Sequence, residues 1–254
     1  MKVYLQNIKI AVLLLMFTSL MQTQASCSKS NKNQMVVQQT DSLPEVVIIK
    51  DTTTRYYLAL GDSYTIGTSI SANENYPNQT AAFLNNIGYN FLPPKIIATN
   101  GWTTINLISA INAETDFRSS YDIVTLLIGV NDQYQGATEV QYQTGFTTLI
   151  KQAIAFAGNK PSHVIILSIP DYSGTPFGKN RNGNTNISAE IDAFNAINKQ
   201  ISASYNVNYI NVTDESRKAF SDNSLLASDG LHYSAKEYAI WAALIGGVVK
   251  NIIK

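Results

Sequence analysis

The sequence predicts an α/β domain built on a parallel sheet, and two observations predict it. Five apolar runs of strand length are continuous rather than alternating, as strands buried on both faces are. Stretches of helical period separate them, and a chain in which strand and helix alternate joins parallel strands by right-handed crossovers.

In chain order, the first element is an address. Met1 to Lys9 carries Lys2 and Lys9 without an acid, and Ile10 to Met21 is apolar except for Thr18 and Ser19. This is the n-region and h-region of a secretory signal, and it is too short and too polar beyond Gln22 to span a bilayer. Small residues stand directly before Cys27, the only cysteine, in a pattern that resembles a bacterial lipobox, with Gln24 where the commonest pattern has Leu. The expectation is a lipoprotein signal over residues 1–26, lipid attachment at Cys27, and a periplasmic or surface protein held to a membrane by that lipid. Cleavage after Ala25 and secretion is the rival. Residues 27–51, rich in Gln, Asn and Ser, read as a flexible tether, and residues 52–254 as one domain without internal repeat.

Within that domain strands are expected at Tyr56 to Leu60, Lys95 to Ala98, Ile123 to Ile128, Val164 to Ile169 and Tyr209 to Val212. Helices are expected at Pro77 to Asn86, Thr104 to Ala113, Val140 to Ala157, Ser188 to Tyr205 and Ser234 to Ile253. Ser234 and Glu237 have capping-box spacing at the start of the last one. Asp171 to Asn186 reads as the one long irregular loop.

Composition narrows the functions. Of 254 residues, 45% are apolar and 14% charged, and 18 basic side chains balance 18 acidic ones. A chain without net charge has no field to hold a phosphate backbone, so nucleic acid is not an expected partner. One cysteine forbids an internal disulfide and a thiolate metal site, and two histidines leave little for a histidine-based one, so neither metal nor cofactor is expected.

Ligands of open α/β sheets bind beyond the carboxyl ends of the strands, and polar clusters follow three of the expected strands. They are Gly61-Asp62-Ser63-Tyr64, Asn100-Gly101-Trp102 and Gly129-Val130-Asn131-Asp132, and Asp229-Gly230-Leu231-His232 precedes the last helix. Each alone has a bland reading as a turn or a cap. Together they supply what acyl transfer needs: a nucleophile, a base, a group to orient the base, and donors for an oxyanion. Ser63 is the candidate nucleophile. His232 is the candidate base, because His163 precedes its strand and so belongs at the opposite end of the sheet. Asp229, three residues before His232, is the candidate orienting acid. The amides of Ser63 and Gly101 and the carboxamide of Asn131 are the candidate oxyanion donors.

The four clusters, in this order, resemble the sequence blocks of the SGNH (GDSL-type) hydrolases. The likeness runs from about Tyr56 to Tyr238. It implies a three-layer α/β/α sandwich, flavodoxin-like, on a five-stranded parallel sheet, and metal-independent ester hydrolysis. Two positions depart from the family pattern: Tyr64 stands where Leu is usual and Tyr233 where Pro is frequent. Tyr64, Tyr134, Tyr172 and Phe177 are candidates for the wall of a substrate pocket, with Pro176, Gln133 and Tyr142 nearby. An apolar wall suits a fatty acyl ester; the Asn, Gln and Tyr content suits an acylated sugar. A carboxylesterase acting on a lipid, glycan or small-molecule ester is the expectation. The alternative is a surface lipoprotein that binds glycan or lipid on this scaffold without catalysis. A transporter's solute-binding lipoprotein would show two similar lobes, and no such duplication is present.

Overall fold

In the computed structural model, which describes residues 51–181 and 186–253, five parallel strands form the main sheet. These are β1 (Tyr57–Gly61), β2 (Lys95–Ala98), β3 (Ile123–Leu127), β4 (Val164–Leu167) and β5 (Asn208–Ile210), lying in the order β2-β1-β3-β4-β5. Every residue of β1, β3 and β4 is buried, whereas the edge strands β2 and β5 are half-exposed. Burial on both faces is why the central strands carry unbroken apolar runs. A two-residue parallel pair, Thr54–Arg55 with Asn90–Phe91, extends the amino end.

The helices are α1 (Ser63–Ile66), α2 (Tyr76–Asn86), α3 (Thr104–Ala113), α4 (Val130–Tyr134), α5 (Glu139–Phe156), α6 (Pro176–Lys179), α7 (Ile187–Ser204), α8 (Thr213–Ser216) and α9 (Ala235–Ile252). Right-handed crossovers in this strand order put α2 with α9 on one face of the sheet, and α3, α5 and α7 side by side on the other. The result is the three-layer α/β/α sandwich expected from the sequence. Asn75 caps α2, and Thr103 with Asn106 and Thr138 with Gln141 form capping boxes on α3 and α5. No helix among the described residues is long and apolar enough to cross a membrane.

Several of the expectations change. The fourth strand stops at Leu167, two residues before Ile169, and the fifth occupies Asn208–Ile210 rather than Tyr209 to Val212. Ser168 ends both: its hydroxyl accepts the Val212 amide at 2.8 Å in place of a ladder carbonyl. α9 begins where Ser234 suggested, but no capping box forms. The Ser234 hydroxyl donates to the Ser224 carbonyl, and Glu237 turns inward to accept from Trp241 Nε1 at 2.7 Å. The loop after β4 is not wholly irregular, because Thr175 caps the single turn of α6. Asp51, assigned to the tether, is held to the domain by its amide on the Gly88 carbonyl and its carboxylate on Arg55. The expected signal over residues 1–26, Cys27 and the rest of the tether lie outside the described residues.

The register sets the site. Gly61, at the end of β1, is level with Ala98 of β2 on one side and Leu127 of β3 on the other. The chain passes from β1 to β2, then back across β1 to β3, so the three loops leave one edge together at the point where the strand order reverses.

Candidate active site

Gly61 hands β1 directly to a one-turn helix. A Cβ there would lie 2.0 Å from Thr65 Oγ1 and 2.4 Å from the Leu127 carbonyl oxygen, so only glycine admits this approach of strand, helix and neighbouring strand. Asp62 caps the helix by accepting the Tyr64 amide at 3.0 Å. Ser63 is the first helical residue, and its amide therefore has no partner within the helix. Burial pushes the Asp62 carboxyl up to about 8, opposed by the Tyr64 amide and reinforced by the charge of Asp132. Its second oxygen, Oδ2, is buried without a hydrogen-bond partner among the described residues.

The second arm is the loop after β2. Gly101 has φ +78°, the left-handed region, and a Cβ there would meet nothing, so glycine serves the backbone conformation rather than space. The third arm is α4. Asn131 Nδ2 donates one hydrogen to the Trp102 carbonyl at 2.9 Å, which orients the carboxamide and leaves its second N–H for another acceptor. Next to it, Asp132 is buried and ties α4 to α3 by accepting from the Thr104 amide at 2.9 Å and the Thr104 hydroxyl at 2.6 Å.

The fourth arm is the turn before α9. His232 Nδ1 meets Asp229 Oδ2 at 2.6 Å, and Asp229 Oδ1 accepts the amides of Leu231 at 3.0 Å and His232 at 2.9 Å. Ser69 Oγ also donates to Asp229 Oδ2, at 2.7 Å. Burial works against the Asp229 charge, but hydrogen bonds from the His232 ring, Ser69 and the two amides prevail and bring its carboxyl down to about 2. The turn is held by an antiparallel bridge between Leu226 and Tyr233 and by the Phe177 amide on the Gly230 carbonyl. Tyr233, where proline is frequent, is fully buried, and its hydroxyl donates to the Asp171 carbonyl at 2.9 Å.

These arms enclose one cavity of about 250 Å³. Ser63, Tyr64, Gly101, Asn131, Tyr134, Tyr172, Phe177 and His232, all named from the sequence, line it together with Asn100, Val130 and Leu231. Asp229 stands behind the His232 ring. The ring meets Tyr64 edge-on, with centroids 5.3 Å apart. Tyr134 and Phe177, 42% and 38% exposed, flank the mouth, and Arg181 stacks over Tyr134 and donates to the Tyr172 hydroxyl at 2.6 Å. The Ser63 hydroxyl has no hydrogen-bond partner among the described residues. Tyr142 is not part of the wall: it is buried, with its hydroxyl on the Ile128 carbonyl and on Asn198. His163 lies at the opposite end of β4, its Nδ1 at 2.6 Å from the Asp122 carbonyl. Among the described residues no three His, Cys, Asp or Glu side chains group as metal ligands would.

Sequence reasoning missed Thr68, Ser69 and Arg181. Ser69 lies 160 residues from Asp229, and no local pattern links them.

The model of the GDSL-like Lipase/Acylhydrolase family matches residues 59–240. No curated protein matches the chain. Among solved structures, the lipase/acylhydrolase from Enterococcus faecalis is similar at 19% identity and a TM-score of 0.62, over 79% of this chain and 97% of that one. TesA is similar at 18% identity and a TM-score of 0.59, over 79% and 100%. Axe2, an acetylxylan esterase from Geobacillus stearothermophilus, is similar at 16% identity and 0.58, over 80% and 96%. At these identities the structures speak for the fold.

Proposed function

The chain belongs to the GDSL-like lipase/acylhydrolase family and is a carboxylic ester hydrolase, and we propose that it works through a Ser63–His232–Asp229 triad and a covalent acyl-enzyme. The observation that carries this reading is the convergence on one cavity of Ser63, an Asp229-bound His232 and three candidate oxyanion donors. His232 Nε2 takes the Ser63 proton as Oγ attacks the ester carbonyl. The oxyanion is received by the amides of Ser63 and Gly101 and the free N–H of Asn131. His232 then returns the proton to the leaving alcohol, and water repeats the sequence to release the acid.

The size of the cavity favours a short acyl group. The cavity, at about 250 Å³, falls below the roughly 300–1,000 Å³ of sites that enclose a drug-sized ligand, and so leaves little room to bury a fatty chain. The exposed rings of Tyr134 and Phe177 suit the alcohol or sugar side of the ester. The proposal extends to location: an exported lipoprotein anchored through Cys27, supported by the order of basic, apolar and small residues before it. Labelling with radioactive palmitate that Cys27→Ala abolishes is the expected result, and labelling that survives Cys27→Ala removes the anchor.

The test of activity is hydrolysis of p-nitrophenyl esters from acetyl to palmitoyl, with Ser63→Ala alongside. Turnover is expected to peak at the short end and to vanish in Ser63→Ala. A folded protein that hydrolyses no chain length and whose Ser63 resists a fluorophosphonate would be a binding protein instead.

A further inference from the structure

The turn after α1 is fastened to three arms of the site. The amides of Gly67 and Thr68 both donate to the Ser63 carbonyl, at 3.0 and 3.1 Å. Thr68 Oγ1 donates to Asn100 Oδ1, on the loop that carries Gly101, and Ser69 Oγ donates to Asp229 Oδ2 at 2.7 Å. That Asp229 oxygen is the one His232 Nδ1 meets at 2.6 Å. Of the four donors to the Asp229 carboxylate, the other three come from its own turn, so Ser69 is the contact that ties this carboxylate to the turn after α1. Ser69 also has φ +67°. A non-glycine residue holds this conformation at a cost, and persists in it where surrounding contacts over-determine it.

We propose that Thr68 and Ser69 are positioning residues for ester hydrolysis, a clamp that sets the Asn100–Gly101 loop and Asp229 against the backbone of Ser63. The proposal rests on the triad reading above. Neither side chain reacts: Ser69 acts through Asp229 on the His232 ring, and Thr68 acts through Asn100 on the Gly101 amide. The titratable groups facing Asp229 are His232 on its own turn and Tyr238 from α9, the latter kept neutral by burial, which pushes its hydroxyl well up. Ser69 and Asn100 are exposed, so changes here leave the core intact.

The test is steady-state kinetics on p-nitrophenyl acetate with the whole chain and its Ser69→Ala, Ser69→Gly, Thr68→Val and Ser63→Ala variants. Ser69→Ala and Ser69→Gly are expected to lower kcat alike, by about three- to tenfold, with KM unchanged, because what is lost orients the transition state rather than the substrate. Thr68→Val is expected to fall by a similar factor. Ser69→Ala and Thr68→Val within twofold of the parent, beside an inactive Ser63→Ala, would overturn the clamp alone. Recovery in Ser69→Gly would overturn it too, by assigning the defect to backbone strain. Full activity in Ser63→Ala would instead overturn the triad on which the clamp depends.

Discussion

Asn131 and Asp62 show how much one side chain decides here. Asn131 is held by the Trp102 carbonyl with one N–H to spare, and an oxyanion donor removed from such a site typically costs about 10²–10³ in rate. Asn131→Ala is therefore expected to lose kcat on that scale at an unchanged melting temperature; undiminished turnover would remove the residue from the oxyanion site. Asp62 acts on stability. Its folded carboxyl, raised to about 8, keeps a proton that the unfolded chain releases near pH 4, so the folded state binds more protons between the two values. Stability from this group accordingly falls as pH rises from about 4 to about 8. Asp62→Asn keeps the acceptor for the Tyr64 amide and cannot ionise. It is expected to raise the melting temperature more at pH 8 than at pH 4, and an equal shift at both would show that Asp62 does not titrate in this window.

At the scale of elements, side chains close what the backbone leaves open at the carboxyl edge of the sheet. Ser168 ends two strands at once, and Tyr142 of α5 donates its hydroxyl to the Ile128 carbonyl just beyond β3, at 3.1 Å, while its ring stacks on Phe194 of α7 at 4.4 Å. Tyr142→Phe keeps the stack and removes the hydroxyl that the buried Ile128 carbonyl and Asn198 Oδ1 share. Chemical denaturation should show it less stable by about 1–3 kcal/mol with the fold retained, and no loss would mean that this carbonyl finds another partner. Gly61 is the tighter constraint. A methyl group there would collide with Thr65 and with β3, so Gly61→Ala should displace α1 and depress turnover together with stability. Parent-like kinetics in Gly61→Ala would show that α1 can shift without moving Ser63.

For the molecule as a whole, every candidate catalytic group lies in one α/β unit, and the termini of that unit contribute none. A chain beginning at Asp51 is expected to match the full chain in kcat/KM on a soluble short-chain ester, and a marked loss would assign the segment before it a part in the site. By itself the sequence determined the class, the order of the elements, and the identity of Ser63, Gly101, Asn131, Asp229 and His232 as candidates. These are legible because burial on both faces writes continuous apolar runs, and chemistry demands particular side chains just after them. It misjudged Ser234 with Glu237, because capping spacing is local while the pull of Trp241 Nε1 on a buried carboxylate is not. Only the tertiary structure decided which aromatic residues wall the cavity, admitting Tyr134 and Phe177 and excluding Tyr142. It alone brought Thr68 to Asn100 and Ser69 to Asp229. Those contacts join residues far apart in the chain, and no period or spacing encodes a meeting that exists only once β1, β2 and β3 have aligned their ends.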